Sequence, residues 1–259
     1  MNSAKNSVIT VLPDVDKERG YYVAKKNNLI DKSRYSLSLT QHKLLLYLIS
    51  KIKPNDSPDT VYELDIKTFC EVCGMRTDTG TYYQTIKKDL KVIADKSAYV
   101  IDDEGYEVLF RWFDLVKLKR SSGKVYISFH KTISPYLFGL NAYYTQYPYI
   151  FILPMKCKYS IRLYELIVKN RHLDKFIVSI EDIKVLTDSQ NYDKHSHFME
   201  RVFLPAIAEI NAFTDYSVSY ELIKTGRSFT DIAISSKKKE SYEDCFKLNQ
   251  AITFALQPK

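Results

Sequence analysis

The feature that most constrains the fold is a long internal repeat, because a chain that repeats its order of elements must build the same unit twice. Each copy opens with an apolar helical stripe that contains a Leu-Tyr pair, in LSLTQHKLLLYLISKI (37–52) and KYSIRLYELIVKN (158–170). Further along, Ile66 aligns with Ile180 at an offset of 114 residues, and Ile93-Ala94-Asp95 aligns with Ile207-Ala208-Glu209 at the same offset. Equal offsets across two helices indicate two related units.

Each unit continues with a short strand, a short helix, a longer helix and then β-rich runs. The runs are separated by polar turns at 102–105 and 120–123 in the first unit and at 225–227 in the second. Aromatic and β-branched runs around short Gly-containing turns predict β-hairpins. Helix, strand, helix, helix and hairpin is the order of a winged helix. We therefore expect an α+β fold of two tandem winged-helix domains related by a pseudo-repeat.

The predicted domain organisation has five parts: an N-terminal arm (1–27), a first winged helix (28–140), an aromatic interdomain linker (141–155), a second winged helix (156–236) and a basic C-terminal tail (237–259). The linker is too hydrophobic to be solvated, so we expect it to pack between the domains. The run Lys237-Lys238-Lys239 reads as a solvated segment that could add salt-dependent affinity for a polyanion.

Composition and motifs exclude several classes. The chain has 38 Lys plus Arg against 31 Asp plus Glu, a net charge of +7, which favours a nucleic-acid partner. The sequence has no stretch of about 18 apolar residues that would predict a membrane span, and it shows no secretory signal. We therefore expect a cytosolic protein without a membrane partner. Cys70 and Cys73 lack a second pair for zinc and read as buried thiols. With no phosphate-binding or hydrolase motif either, we expect no metal, no cofactor and no catalytic residues.

The repeated segments resemble the replication initiator (Rep) proteins of iteron-controlled, theta-replicating plasmids. KYSIRLYELI, RVFLPAIAEIN and SYELIKTGRSFTDIAIS carry the resemblance in the second unit and LSLTQHKLLLYLIS in the first, over about residues 28–236. The resemblance implies a bacterial cytosolic protein, nucleoid- or plasmid-associated, that binds directly repeated double-stranded origin DNA as a monomer. Such a protein helps to melt an adjacent AT-rich region and recruits the host initiator and replicative helicase. It also implies a homodimer, joined through the first domain, that binds an inverted repeat and represses its own gene.

In a helix-turn-helix, the second helix lies in the major groove and its first residues reach base edges. In the second domain this helix starts near 194–196, and four-residue spacing predicts an inward stripe of Phe198, Val202, Ala206 and Ile210. The predicted DNA-binding set is Lys194, Ser196, His197, Glu200 and Arg201 on the helix, with Lys224 and Arg227 at the wing tip.

Within this set, Arg201 suits a bidentate contact to guanine. Glu200 either accepts a hydrogen bond from a cytosine amine or forms an ion pair that positions Arg201. Pro205 falls inside the predicted helix, so either the helix kinks there or its first part is irregular.

In the first domain, Ile86, Leu90 and Ile93 are predicted to face inward. The predicted DNA-binding set is Thr81, Gln84, Thr85 and Lys88 on the helix and Lys119, Arg120 and Lys124 at the wing. Gln84 suits adenine, and Lys88 suits a phosphate or guanine. The alternative is a solvated face, because the family's first domain also serves dimerisation.

Two other functions remain open. A tandem winged-helix transcriptional regulator would read DNA with the same parts. A DNA-nicking enzyme would need a tyrosine beside a metal held by two histidines; His195-Ser196-His197 has the spacing but a serine in the middle, and Tyr192 is one of 21 tyrosines. Charge does not locate the reading site, because residues 146–235 carry 11 basic and 11 acidic side chains. The surplus elsewhere would supply general attraction to the duplex.

Overall fold

The computed structural model describes residues 14–119 and 122–257. The helices are α1 (Val15–Arg19), α2 (Asn27–Asp31), α3 (Leu39–Ser50), α4 (Ile66–Val72), α5 (Thr81–Asp95), α6 (Ser160–Lys169), α7 (Ile180–Thr187), α8 (His195–Phe198), α9 (Leu204–Phe213) and α10 (Tyr242–Ala255). The strands are β1 (Tyr22–Lys26), β2 (Ser33–Arg34), β3 (Tyr62–Asp65), β4 (Ser97–Ile101), β5 (Glu107–Arg111), β6 (Phe113–Leu118), β7 (Lys124–Phe129), β8 (Tyr144–Pro148), β9 (Phe176–Ser179), β10 (Tyr216–Thr225) and β11 (Ser228–Lys238). Of the described helices, none is long and apolar enough to cross a membrane.

Two winged helices follow one another, which confirms the predicted α+β fold. The first consists of α3, β3, α4, α5 and the wing β6–β7, and the second of α6, β9, α7, the helix from α8 to α9, and the wing β10–β11. In both sheets the last wing strand is central: β7 lies between β3 and β6, and β11 lies between β9 and β10, with all pairs antiparallel. The repeat seen in the sequence is therefore also a repeat of strand order.

The offset of 114 residues persists in the structure from the first strand to the recognition helix. The paired starts are Tyr62 and Phe176 for the strands, Ile66 and Ile180 for the short helices, and Thr81 and His195 for the recognition helices. The short helices also share a side-chain cap at the same offset. Asp65 accepts from the backbone N–H of Thr68 at 2.9 Å, and Ser179 accepts from that of Asp182 at 2.9 Å. An N-cap stabilises a helix start by about 1 kcal/mol, so the same local signal sets both starts.

The first unit contains a second hairpin that the sequence analysis did not separate from the wing. The run YEVLFRWFDLVKL (106–118), which lies between the two polar turns of the first unit, breaks at Trp112 into β5 and β6. Strands β4 and β5 pair around the turn at 102–105 and join β2 in a sheet of their own. Trp112 is buried edge-on against the rings of Tyr35 and Phe110, at centroid distances of 5.1 and 5.0 Å. Burial of this ring separates the two hairpins.

Helix α6 lies at the centre of the molecule. Every residue from Ser160 to Val168 is buried, because one face packs against α7 and α9 of its own unit and the other against α2 and β8. A helix that is buried all round needs neighbours on every side. The preceding aromatic segment supplies part of this cover: β8 pairs with β1, and Tyr147 and Tyr149 are fully buried.

The C-terminal segment, expected as a basic tail, contains helix α10, and β11 extends into this segment as far as Lys238. The expectation of a solvated lysine run is wrong for Lys239, which is only partly exposed and donates to the Thr214 carbonyl at 2.8 Å.

The buried residues of α10, Leu248 and Ile252, and the buried Leu256 directly after its end, follow a four-residue spacing, and the helix contacts α9. Its end also reaches the first unit. A Cβ added at Gly74, where φ is +66°, would lie 2.7 Å from the carbonyl oxygen of Leu256. In this way α10 contacts both winged helices.

Candidate nucleic-acid interface

The recognition helix of the second unit runs through α8, a π-helical turn at Met199–Phe203, and α9. Pro205 follows this turn by two residues. Proline has no N–H and its ring clashes with the carbonyl four residues earlier, here that of Arg201. The wider π turn accommodates this loss, and such turns are frequent at functional sites. Of the two outcomes predicted for Pro205, the irregular first part of the helix is the one observed.

The two faces of this helix differ sharply in burial. Phe198, Val202, Ala206 and Ile210 are at most 1% exposed, which confirms the predicted inward stripe. The opposite face holds the side chains predicted to contact DNA, and all of them are exposed: Lys194, Ser196, His197, Glu200 and Arg201. These polar side chains are therefore accessible to a ligand as large as a DNA duplex.

Glu200 and Arg201 form no ion pair with each other or with any residue in the described part of the chain. The alternative in which Glu200 positions Arg201 through an ion pair is therefore not observed in this conformation. Both side chains keep their full hydrogen-bonding capacity.

An aromatic stack joins the start of this helix to the wing. The ring of His195 stacks on Phe229 of β11, with centroids 5.0 Å apart and an interplanar angle of 22°. Lys224 of β10 lies 4.6 Å from the centroid of the same Phe229 ring. Cation–π and stacking contacts of this kind stabilise a fixed side-chain geometry. The stack brings Lys224 next to the helix start, so helix and wing present one continuous surface. Phe229 was not among the predicted site residues, although an aromatic residue beside a hairpin tip is visible in the sequence.

The tip of the second wing is a tight turn between β10 and β11. Gly226 takes φ of +65°, and Arg227 completes the two-residue connection. Glycine with positive φ at the first central position is typical of hairpin turns that match strand twist. Arg227 and Lys224 are both exposed, on either side of this glycine.

In the first unit, α5 shows the same division of faces. Ile86, Leu90 and Ile93 are at most 1% exposed, as predicted. The predicted contact residues are exposed on the other side: Thr81, Gln84, Thr85 and Lys88. The helix begins after Gly80, whose φ is +68° and which offers no side-chain cap. Among the described residues, the N–H groups of Thr81 and Tyr82 have no acceptor, whereas that of Tyr83 donates to the Gly80 carbonyl at 3.3 Å.

A basic groove lies between α5 and the wing strand β6. It has a volume of about 440 Å³ and an apolar floor that includes Leu90, Val116 and Leu118. Its rim carries three lysines of α5: Lys87, Lys88 and Lys91. Of these lysines only Lys88 was predicted to contact DNA, although the run KKDLK places all three within five residues. Together they form a positive strip suited to a phosphate backbone.

The first wing tip differs from its prediction in one respect. Lys119 is exposed, but Lys124 forms an ion pair with Glu63 of β3 at 2.6 Å. The pKa of Lys124 is raised, with the hydrogen bond to Glu63 as the main cause. Lys124 therefore has a partner within the fold that a DNA phosphate would have to displace. Arg120 lies outside the described residues.

The histidines and thiols considered above do not form a metal or thiolate site in the described part of the chain. Within residues 14–119 and 122–257, no group of three His, Cys, Asp or Glu side chains could hold a metal ion. His195 and His197 are two residues apart on a helix and so point in different directions. Burial raises the pKa of the Cys70 thiol to about 12 and that of Cys73 to about 11. Neither thiol is a reactive thiolate at neutral pH.

Comparison with known proteins agrees with this architecture. The sequence model described as Initiator Replication protein, WH1, matches residues 22–168, and that described as Initiator Rep protein, WH2, matches residues 179–235. The crystal structure of Pi initiator protein in complex with iteron DNA has a similar fold, with a TM-score of 0.70 at 18% sequence identity. The match covers 86% of this chain and 99% of that one. Two family models in tandem, on two winged helices in the same order, place this chain in the initiator replication (Rep) protein family.

Proposed function

We propose that the protein is a plasmid-type replication initiator that binds repeated origin sites in double-stranded DNA and acts by binding, without catalysis. The observation that carries this proposal is the presence of two exposed recognition helices on one chain, each with a basic wing. A recognition helix of this kind contacts the base edges of one major-groove segment. The similar Pi initiator, solved with iteron DNA, supports the same partner.

In this proposal each domain contributes its own contact set. The second domain reads base edges with Arg201, Glu200, Ser196 and His197 and holds the backbone with Lys194, Lys224 and Arg227. The first domain uses Thr81, Gln84, Thr85 and Lys88 on its helix and Lys119, Arg120 and Lys124 on its wing. Base-edge contacts supply specificity, whereas lysine contacts to phosphate supply position and salt-dependent affinity. The exposure of these side chains, Lys124 and Arg120 apart, supports the assignment.

We assign dimerisation to the first domain. Strand β5 pairs only with β4 among the described strands, so its other edge is open. Leu109 on β5 and Tyr99 on β4 are 54% and 43% exposed. An open edge with apolar side chains is a template for pairing with a second chain. A dimer joined there would bind an inverted repeat and repress the protein's own gene.

The remaining steps follow from the family. Binding at repeated sites would bend the origin, help to melt an AT-rich tract beside it, and bring in the host initiator and replicative helicase. We propose that these roles are divided among the predicted parts of the chain. The parts are the arm (1–27), the two domains (28–140 and 156–236), the linker (141–155) and the tail (237–259).

Footprinting on the DNA that flanks the gene tests the proposal. The expected result is protection of several directly repeated sites beside an AT-rich tract. A plasmid carrying that DNA should replicate when the protein is supplied in trans, and the Arg201→Ala variant should fail to support it. Protection of a single operator, with no replication in trans, would favour the transcriptional regulator instead.

A further inference from the structure

The guanidinium of Arg162 lies between the two winged helices. Arg162 is on α6 and only 2% exposed. It donates to acceptors on both sides: the Leu186 carbonyl at 3.2 Å, the Leu29 carbonyl at 3.4 Å, the Tyr35 hydroxyl at 3.0 Å, Glu165 Oε2 at 3.3 Å, the Ser33 carbonyl at 3.0 Å and Ser33 Oγ at 3.2 Å. The guanidinium also lies 4.5 Å from the Tyr35 ring centroid. Each of its three nitrogens therefore has a partner.

Glu165, which pairs with Arg162, extends these buried contacts to β1 and β8. Its carboxylate accepts from Lys25 Nζ of β1 at 2.5 Å and from the Tyr147 hydroxyl of β8 at 2.5 Å. Lys25 and Glu165 are each 1% exposed. Burial alone would raise the pKa of Glu165, but Lys25 and Arg162 outweigh it and keep the pKa below its usual value. The carboxylate is thus ionised and fully partnered.

The partners of Arg162 belong to elements that matter for DNA reading. Leu186 is in α7, the first helix of the second helix-turn-helix, directly before the recognition helix. Leu29 and Ser33 belong to α2 and β2, and β2 pairs with β4, which begins two residues after the recognition helix α5 ends. The Arg162 side chain therefore hydrogen-bonds to segments that adjoin each of the two recognition helices in the sequence.

Directional bonds differ from apolar contact in what they fix. Apolar packing contributes area and shape to the contact, whereas a planar guanidinium with acceptors in set directions also fixes the orientation of the groups around it. Other directional contacts reach the units through the linker: Lys43 Nζ of α3 donates to the Leu153 carbonyl at 2.6 Å, and Glu209 of α9 accepts from the Lys156 N–H at 2.8 Å. Arg162 differs from these because it joins the two units directly. The Lys169–Asp31 ion pair is partly exposed and therefore screened, and the approach of Leu256 to Gly74 involves no hydrogen bond between the two residues.

We infer that Arg162 is a positioning residue that, with Glu165 and Lys25, holds the two recognition helices at one separation and so restricts the protein to DNA in which two sequence blocks lie at a single spacing. This inference rests on the proposed function, since it concerns how both domains read one site. Two linked modules gain joint affinity only for targets whose spacing matches their geometry.

Selection of binding sites from a random duplex library tests the inference with the full chain. The wild-type protein should recover two sequence blocks at one spacing. The Arg162→Lys variant keeps the positive charge beside Glu165 but cannot reach all the acceptors. It should recover the same two blocks at a range of spacings. Its preference for the wild-type spacing over a duplex with two inserted base pairs should fall by about tenfold. The exposed Arg76, between α4 and α5 and outside the proposed contact sets, is the matched control when changed to Lys and should keep the single spacing.

The outcomes separate the inference from the function on which it rests. A single sharp spacing recovered by Arg162→Lys overturns the inference alone. A single block recovered by the wild-type protein overturns both the inference and two-domain reading. If circular dichroism shows that Arg162→Lys is unfolded, Lys25→Met replaces it, because it removes one of the two cations that hold Glu165. Broadened spacing with Lys25→Met supports the inference, and unchanged spacing overturns it.

Discussion

The buried His42 should make the stability of this protein depend on pH. His42 lies on α3, is 4% exposed, and has no hydrogen-bond partner for either imidazole nitrogen in the described part of the chain. Burial, reinforced by the nearby Arg162, lowers its pKa from 6.5 to about 3. As pH falls below about 6.5, His42 binds a proton in the unfolded chain but stays neutral in the folded chain. The free energy of unfolding therefore decreases by about 1.4 kcal/mol per pH unit until the folded pKa is reached.

Between pH 7 and pH 5 this linkage amounts to about 2 kcal/mol, because the folded protein stays neutral at His42 throughout that interval. The His42→Leu variant has similar volume and does not titrate. Urea unfolding at both pH values should show that it loses about 2 kcal/mol less than the wild-type protein.

The exposed His172, changed to Gln, serves as the control for loss of a surface histidine. Titrating groups other than His42 are common to the wild-type protein and His42→Leu and cancel in that comparison. An equal decrease in His42→Leu and wild-type protein would refute the reasoning.

Three further predictions concern DNA binding and the C-terminal helix. Arg201→Ala should lower specific affinity by about 1–3 kcal/mol and spare non-specific binding, and equal losses in a competition assay would exclude base readout there. Arg227→Ala should weaken binding to all sequences and reduce the salt slope by about one unit; an unchanged slope would remove the wing tip from the contact set. Gly74→Ala should destabilise the protein by more than the strain of about 1–2 kcal/mol that positive φ imposes, because its Cβ meets Leu256, whereas Gly139→Ala imposes similar strain in open space. Hydrogen exchange in α10 should rise only in Gly74→Ala, and protection equal to that of Gly139→Ala would contradict the contact.

The elements that were predictable are those with a local signal. The stripe from Phe198 to Ile210 and the turn at Gly226 depend on residues close in sequence, so periodicity and turn chemistry were enough to locate them. The break at Trp112 was not predictable, because tryptophan is a favourable strand residue and its burial depends in part on Tyr35, which is far away in the chain. Phe229 is an aromatic residue beside a hairpin tip, and Lys87 belongs to a lysine run, so both are visible in the sequence. Their roles depend on neighbours that only the fold supplies: His195 stacks on Phe229, and wing strand β6 lines the groove beside Lys87.

The sequence by itself determined that the chain builds one unit twice, that each unit is a winged helix, and which face of each recognition helix is polar. These properties follow from short-range patterns that any copy of the unit must carry. Only the tertiary structure decided how the two units are joined. Arg162 reads as one polar residue in an amphipathic helix, and charged side chains are exposed by default. Its acceptor Ser33 lies 129 residues earlier, so its burial, and with it the separation of the two DNA-reading surfaces, exists only once the chain is folded.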